Sequence, residues 1–397
     1  MQRFFRINLI LSTLWVCLGC DRDMPQERFS TMSIFCPMQD TDLDKDYTSA
    51  VVTYSEESQC FTDEEAFIRL RGNSTAGFPK RPFRIKLSDA YAIEKMPKAR
   101  SWILLANWLD KTMIRNALAF RMAEDTRLDY TPHASFVELN YNNLEKGIYQ
   151  IAEQIQVHRN RLNLSSMDWL VEIDARATPQ DVTFRTAHIP QPFCIRYPEI
   201  EQGDEQAKEI EQIFVHAEEV LFSNNFKDKE LGWRKYMDED SFVDWYLINE
   251  ISKNNDATFF SSCYIHSAPD GKLRMGPVWD FDIAFGNAAF FGANDSPYGF
   301  YIRNTEWYTR LWEDEDFVNK VRTQFAELYN NRQTYYTYVH SNAKRIRPYI
   351  NKEDSIWHQL SNANNNITAE QAFNAEIDKL INWLDIRLEW LNQILNK

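Results

Sequence analysis

Residues 67–87 read Phe-Ile-Arg-Leu-Arg-Gly-Asn-Ser-Thr-Ala-Gly-Phe-Pro-Lys-Arg-Pro-Phe-Arg-Ile-Lys-Leu. Residues 67–70 and 83–87 alternate apolar and charged side chains, the period-2 pattern of half-buried strands. Between them lies a loop of turn formers, hydroxyls and positive charge. A strand, a polar glycine-containing loop and a second strand form a cradle that can hold phosphate. From Arg69 to Arg100 there are nine Lys/Arg against Asp89 and Glu94, a local balance of +7. The whole chain runs the other way, with 44 Lys+Arg against 58 Asp+Glu and a net charge of −14 over 397 residues. Such acidity excludes a protein whose main task is to coat nucleic acid, since that needs a basic face. The 44% hydrophobic and 26% charged content is that of a globular protein, and the length allows two or three domains or one large bilobed one.

Working outward, the first residues read as an address. Arg3 and Arg6 precede an apolar run over residues 7–18, too short for a membrane span and right for a signal peptide. The run ends in Leu18-Gly19-Cys20, which resembles a bacterial lipobox, although Cys17 stands where an aliphatic residue is usual. The expectation is a signal peptide over 1–19, lipidation of Cys20, a polar tether over 20–28, and a protein lipid-anchored in the periplasm or on the cell surface. Outside the signal, Cys36, Cys60, Cys194 and Cys263 make an even number in an oxidising compartment. They allow three disulfide pairings, of which Cys36 with Cys60 is the most local. Asp40, Asp42, Asp44 and Asp46 alternate, but Lys45 and Val51 stand where a calcium loop needs Gly and Glu. The seven His show no zinc-ligand spacing.

The remainder divides into a β-rich part over 29–186 and a mainly helical part over 187–397, an α+β chain joined through the Pro-containing stretch 187–198. Residues 102–106 read as a strand and 110–126 as a helix. A hairpin turns at Tyr141-Asn142-Asn143-Leu144. Helices are expected over 206–222, 241–253 and 316–330, and a last one opens on a Thr368/Gln371 capping box. Short strands are expected at 171–173, 183–185 and 259–265.

Chemistry-bearing residues gather in the helical part. A helix ends in a polar loop with Asp256, and a strand and turn follow. The chain then reads Gly276-Pro277-Val278-Trp279-Asp280-Phe281-Asp282. A hairpin would bring the three carboxylates together, and carboxylates are hard-metal ligands that suit Mg²⁺ and substrate phosphates. A basic β-loop with a strand lysine, Lys86, followed by these acids, matches the parts of a phosphoryl-transfer site.

With those parts assembled, the sequence resembles the spore-coat protein H (CotH-like) kinase family, a group of atypical protein kinases. The resemblance is carried by residues 69–75 and 80–87, by residues 102–107 with Asp110, Arg115 and Asn116, and by Gly147-Ile148-Tyr149 with Glu153. Residues 249–256 and 276–282 with Phe285-Gly286 complete it, in the family's order. It implies a kinase-like bilobed fold, β-rich N-lobe and mainly helical C-lobe, that binds ATP and Mg²⁺. The implied activity is that of an atypical protein Ser kinase, a phosphotransferase acting on a protein substrate. Beside this stand the expectations of a monomer, no nucleic acid partner, and membrane contact only through the N-terminal lipid. On this resemblance Lys86 is the nucleotide-phosphate lysine, and Arg71, Asn73 and Ser74 form the loop over the phosphates. Asp256 is the catalytic carboxylate, and Asp280 is the metal ligand with Asp282 assisting. Glu153 either sits at the hinge or pairs with Lys86, and Arg115 and Asn116 hold a helix against the site. Ala76 departs from the family, whose members commonly carry Trp there. A non-enzymatic reading stands beside this one, because the cell exterior offers little ATP: a catalytically silent kinase-fold scaffold of the envelope, related to carbohydrate or adhesion. Lys86, Asp256 and Asp280 together favour the enzyme, since a scaffold has no need of the set.

Overall fold

In the computed structural model, residues 28–267, 269–288, 295–362 and 365–396 are described. The signal peptide, Cys20 and most of the expected tether lie outside them. The alternation around residue 85 is the key to the first half. Phe83, Ile85 and Leu87 are buried while Arg84 and Lys86 point away. Repeated over seven strands, that pattern curls the sheet around an apolar interior. The strands are β1 (Ser30–Phe35), β2 (Thr48–Ser55), β3 (Cys60–Leu70), β4 (Phe83–Ile93), β5 (Met96–Leu105), β6 (Ala134–Tyr141) and β7 (Leu144–Glu153). Their order is β1-β2-β3-β4-β5-β7-β6, and the barrel closes where β1 pairs in parallel with β6. Trp102, Tyr54, Tyr141 and Tyr149 fill it with Ile68, Ile85 and Leu104. The β6–β7 turn carries Asn142 and Asn143 at φ 49° and 63°, the two left-handed residues of a tight hairpin.

Helix α1 (Arg115–Ala123) packs outside the barrel. It starts five residues later than the periodicity predicts. The Asp110 carboxylate accepts from the N–H groups of Thr112 and Arg115 and pairs with the Arg115 guanidinium, which ties residues 110–114 into a buried turn.

Past β7 the chain builds a second sheet, ordered β12-β11-β8-β10-β9. Its strands are β8 (Leu170–Ile173), β9 (Thr183–Phe184), β10 (Phe193–Tyr197), β11 (Cys263–Ser267) and β12 (Leu273–Met275). The first half is therefore a closed barrel rather than the β-rich lobe of an ordinary bilobed kinase, and the second half is not simply helical. The sheet also crosses the expected join at 187–198, which itself supplies β10. Long-range pairing wins here: β8 is flanked by β10 and β11, and residue order says nothing about that.

Among the described residues, seven helices follow β10: α2 (Glu205–Phe222), α3 (Glu239–Ser252), α4 (Glu306–Leu311), α5 (Glu315–Asn330), α6 (Arg332–Ile346), α7 (Ile350–Trp357) and α8 (Ala369–Leu395). The second core joins them to the sheet and α1, with α3 buried along nearly its whole length. The Thr368/Gln371 capping box forms, each side chain bonding the other's backbone N–H.

The disulfide expectation does not hold, since all four described cysteines are free thiols. Cys60 lies level with Ser55 and Thr31, two strands over and five strand positions along from Cys36, more than ~16 Å away. Cys194 and Cys263 flank β8, about two strand spacings or ~9.5 Å apart. Both separations exceed the ~7 Å reach of a disulfide.

Candidate active site

A cavity of about 1090 Å³ opens between the outer face of the barrel and the second sheet. Its barrel wall is basic. The outward phase of β3 and β4 delivers Arg69, Arg84 and Lys86, the following loop delivers Arg71, and the β1–β2 connection delivers Lys45. Arg71 lies 5.4 Å from the centre of the Trp279 ring. Lys45 donates to Asn73 Oδ1 and Arg69 to the Lys45 carbonyl, each at 2.9 Å, so both partners are neutral. Among the described residues none of these five cations has a carboxylate at ion-pair distance. Gly72, at φ +82°, turns the loop, and a Cβ there would strike the Thr75 hydroxyl. Asn73 and Ser74 stand exposed beyond it and line the same cavity.

The opposite wall is acidic. β11 and β12 pair antiparallel, with Ile265 opposite Met275, so the segment before β11 and the segment after β12 emerge at one end. Asp256 lies on the first and Asp280 and Asp282 on the second, and all three line the cavity. Asn116 on α1 accepts the Phe281 N–H at 2.8 Å, which fixes the peptide between the two latter acids. Asn287 donates to the Asp282 carbonyl at 2.6 Å. Ser262 Oγ reaches Asp280 at 3.5 Å. Asp280 itself sits at φ +66°, a region costly for a residue with a Cβ and concentrated at functional sites.

Burial dominates the electrostatics. It pushes Asp256 up to about 7, repulsion from Asp280 adds to this, and Arg176 at 3.8 Å opposes it. It raises Asp280 against the pull of Arg71 and Arg176. It lifts Asp282 well above the carboxylate range, with Asp280 and Asp256 adding repulsion. Carboxylates that are hard to ionise together are stabilised by a cation between them. No three His, Cys, Asp or Glu among the described residues converge into a closed metal cage. Mg²⁺ is usually held by one or two carboxylate oxygens and completed by water and phosphate oxygens. The all-oxygen donor set of Asp280 and Asp282 therefore fits.

The cavity is also lined by Ile103, which stands across β4–β5 from Arg84, and by Ile155, Val157 and Leu170, apolar side chains of the kind that take a flat ring.

Lys86 is exposed on the basic wall, but Glu153 does not pair with it. Glu153 is buried at the end of β7, accepts from the Tyr130 hydroxyl at 3.0 Å and the His133 N–H at 3.1 Å, and lies 3.9 Å from Arg161. The next residues, 154–157, line the cavity as the chain leaves the barrel, so Glu153 holds the crossing and touches no ligand space. Arg115 is fully buried against Asp110 and positions α1, which in turn presents Asn116. Lys80 and Arg81, counted in the basic run, face elsewhere. Lys80 is buried against Glu353 and the Ile148 carbonyl, and Arg81 donates to the Thr41 carbonyl.

The sequence reading missed Arg176 and the cluster in which Arg196 holds Glu172 and Asp174, at 2.7 and 3.3 Å. It missed Lys45 as well. Residues 174–176 follow the short strand expected at 171–173 with no pattern of their own, and only cross-sheet pairing brings them to Asp256.

A basic wall thus faces three buried, raised carboxylates across one cavity. The family model for CotH kinase protein matches residues 68–391, and the chain belongs to that family. The match extends through most of α8, well past residue 286 where the recognisable motifs end. No curated protein matches the chain.

Proposed function

We propose that this chain is an ATP- and Mg²⁺-dependent protein kinase that phosphorylates Ser residues of an extracytoplasmic or surface protein. The observation that carries this reading is one cavity with Arg71 and Lys86 on one wall and Asp256, Asp280 and Asp282 on the other. The cavity between the barrel and the second sheet holds the nucleotide, and its apolar lining, Ile103 and Leu170 among it, takes the nucleobase. Lys86 and Arg71 bind phosphate oxygens, with Asn73 and Ser74 in the loop above them. Asp280 and Asp282 would hold Mg²⁺, which offsets charge on the transferring phosphate. Asp256 orients the acceptor Ser hydroxyl and takes its proton. Its raised affinity for protons suits that task, because a general base works best near the operating pH. Asn116 and Arg115 keep the metal-binding segment in place.

The attachment reading rests on residues 1–28, nearly all outside the described part. No helix among the described residues is long and apolar enough to cross a membrane. Lipidation at Cys20 would leave the protein in the membrane fraction, and Cys20→Ala should release it. Unchanged partition of that variant would remove the anchor. For the activity, transfer of labelled γ-phosphate by the wild type, lost in Asp256→Asn while nucleotide binding persists, is the expected result. Equal incorporation in the two proteins would take Asp256 out of its role.

A further inference from the structure

The basic wall holds more charge than a nucleotide uses. Phosphoryl-transfer sites typically position the phosphates with one lysine, backbone groups and metal. Lys86 and Arg71 already exceed that. Lys45, Arg69 and Arg84 remain: Lys45 and Arg69 lie on the β3 side of the wall, and Arg84 stands between Arg69 on β3 and Ile103 on β5. Two features make them costly to the free protein. Arg69 and Arg84 are direct cross-strand partners on β3 and β4, and like charges so placed repel. Nε of each is buried without a hydrogen-bond partner. Burial also lowers the Arg84 guanidinium, and Arg69 and Arg71 push the same way, against the opposing pull of Tyr47. Both guanidinium groups lie over the Tyr47 ring, at 4.9 and 5.9 Å, and Tyr47 meets the exposed Phe67 edge-on at 6.4 Å.

On the kinase reading above, we infer that Lys45, Arg69 and Arg84, with the Tyr47–Phe67 pair, dock an anionic side chain of the acceptor polypeptide, either an acidic residue or one already phosphorylated, near the Ser to be modified. Paired guanidinium groups bind carboxylate and phosphate through charge-assisted bonds. The exposed aromatic pair gives an extended peptide an apolar contact beside them. An anion there relieves the Arg69–Arg84 repulsion, so these residues gain in the complex what they lack in the free chain. The nearer acids of the opposite wall do not compete for these cations, since Arg196 already pairs with Glu172 and Asp174.

The test is peptide binding by fluorescence anisotropy, with a non-hydrolysable ATP analogue and Mg²⁺ present. Three labelled Ser peptides differ at one flanking position, Glu, phosphoserine or Gln. The Glu or phosphoserine peptide should bind the wild type at least about tenfold more tightly than the Gln peptide, and which of the two binds better names the source of the charge. In Arg69→Gln/Arg84→Gln the preference should fall to about twofold or less, with analogue affinity retained and the unfolding temperature not lowered. No preference in the wild type, or an equal preference in the double variant, would overturn the inference. So would loss of analogue affinity in that variant, which would assign the pair to the nucleotide, or equally tight binding of a single-stranded oligonucleotide. Because the readout is binding, it separates from the kinase reading: acidic-peptide preference in a protein that binds no nucleotide would keep the dock and remove the kinase.

Discussion

Lys80 and Lys86 lie six residues apart in one basic run, and the fold uses them in opposite ways. Lys80 is buried, bonded to Glu353 on α7 and to the Ile148 carbonyl. Glu353 also accepts the Ile148 N–H at 2.8 Å, and Gly147 leaves room for it where a Cβ would collide. The result is a strut between the barrel and α7. Lys86 is exposed, faces the cavity, and has no carboxylate partner among the described residues. A run of charge in sequence therefore mixes cations that the protein satisfies itself with cations left for a ligand. Partner and burial separate them, and the same division runs through the acids. Asp110 is satisfied by Arg115, while Asp256, Asp280 and Asp282 are left raised.

The comparison can be broken at several points. On the acidic wall, Asp256→Asn should lower phosphate transfer by about 10²–10⁴-fold, the usual contribution of a general base, with no loss of fold. Single-turnover kinetics measures it, and a change below about fivefold would place Asp256 among the structural acids. Lys80→Met should cost about 3–5 kcal/mol in urea unfolding, because it leaves Glu353 buried without its cation. Lys80→Met/Glu353→Gln should recover part of this. Lys86→Met should leave stability within about 0.5 kcal/mol and weaken Mg-ATP at least about tenfold, or about 1.4 kcal/mol. If the two lysines gave the same pattern, the division drawn between them would fail.

A smaller effect is expected with pH in the metal-free protein. Asp256 holds its proton to about 7 when folded, against about 3.9 when unfolded. The folded state then binds more protons across that window. Its contribution to stability is full below about pH 4 and is lost as pH rises through about 7. Thermal unfolding with chelator present should show the wild type losing more stability than Asp256→Asn between about pH 5 and 8. Matching slopes would show that Asp256 titrates normally.

What was legible in the sequence was local. The alternation at 67–70 and 83–87 gave β3 and β4, Asn142-Asn143 gave the β6–β7 turn, and Thr368 with Gln371 marked the start of α8. The hairpin between Asp256 and Asp280 followed from turn residues at 269–271. What was not legible depends on distant partners. Glu353 meets Lys80 across 273 residues. Barrel closure joins β1 to β6, and β8 is flanked by strands that come later in the chain. The disulfide expectation failed for a related reason, because cysteine count and spacing say nothing of strand register. Glu153 was ambiguous from spacing, and only its contacts with Tyr130, His133 and Arg161 take it away from Lys86.

The central claim is that the raised carboxylates Asp280 and Asp282 face Lys86 and Arg71 across the cavity to hold a metal-bound nucleotide. Calorimetric titration of Mg-ATP into the wild type and Asp280→Ala tests it most directly. The account expects saturable binding by the wild type at millimolar ATP or below, dependent on Mg²⁺ and lost in the variant. No binding by the wild type, or equal binding by both proteins, would contradict it.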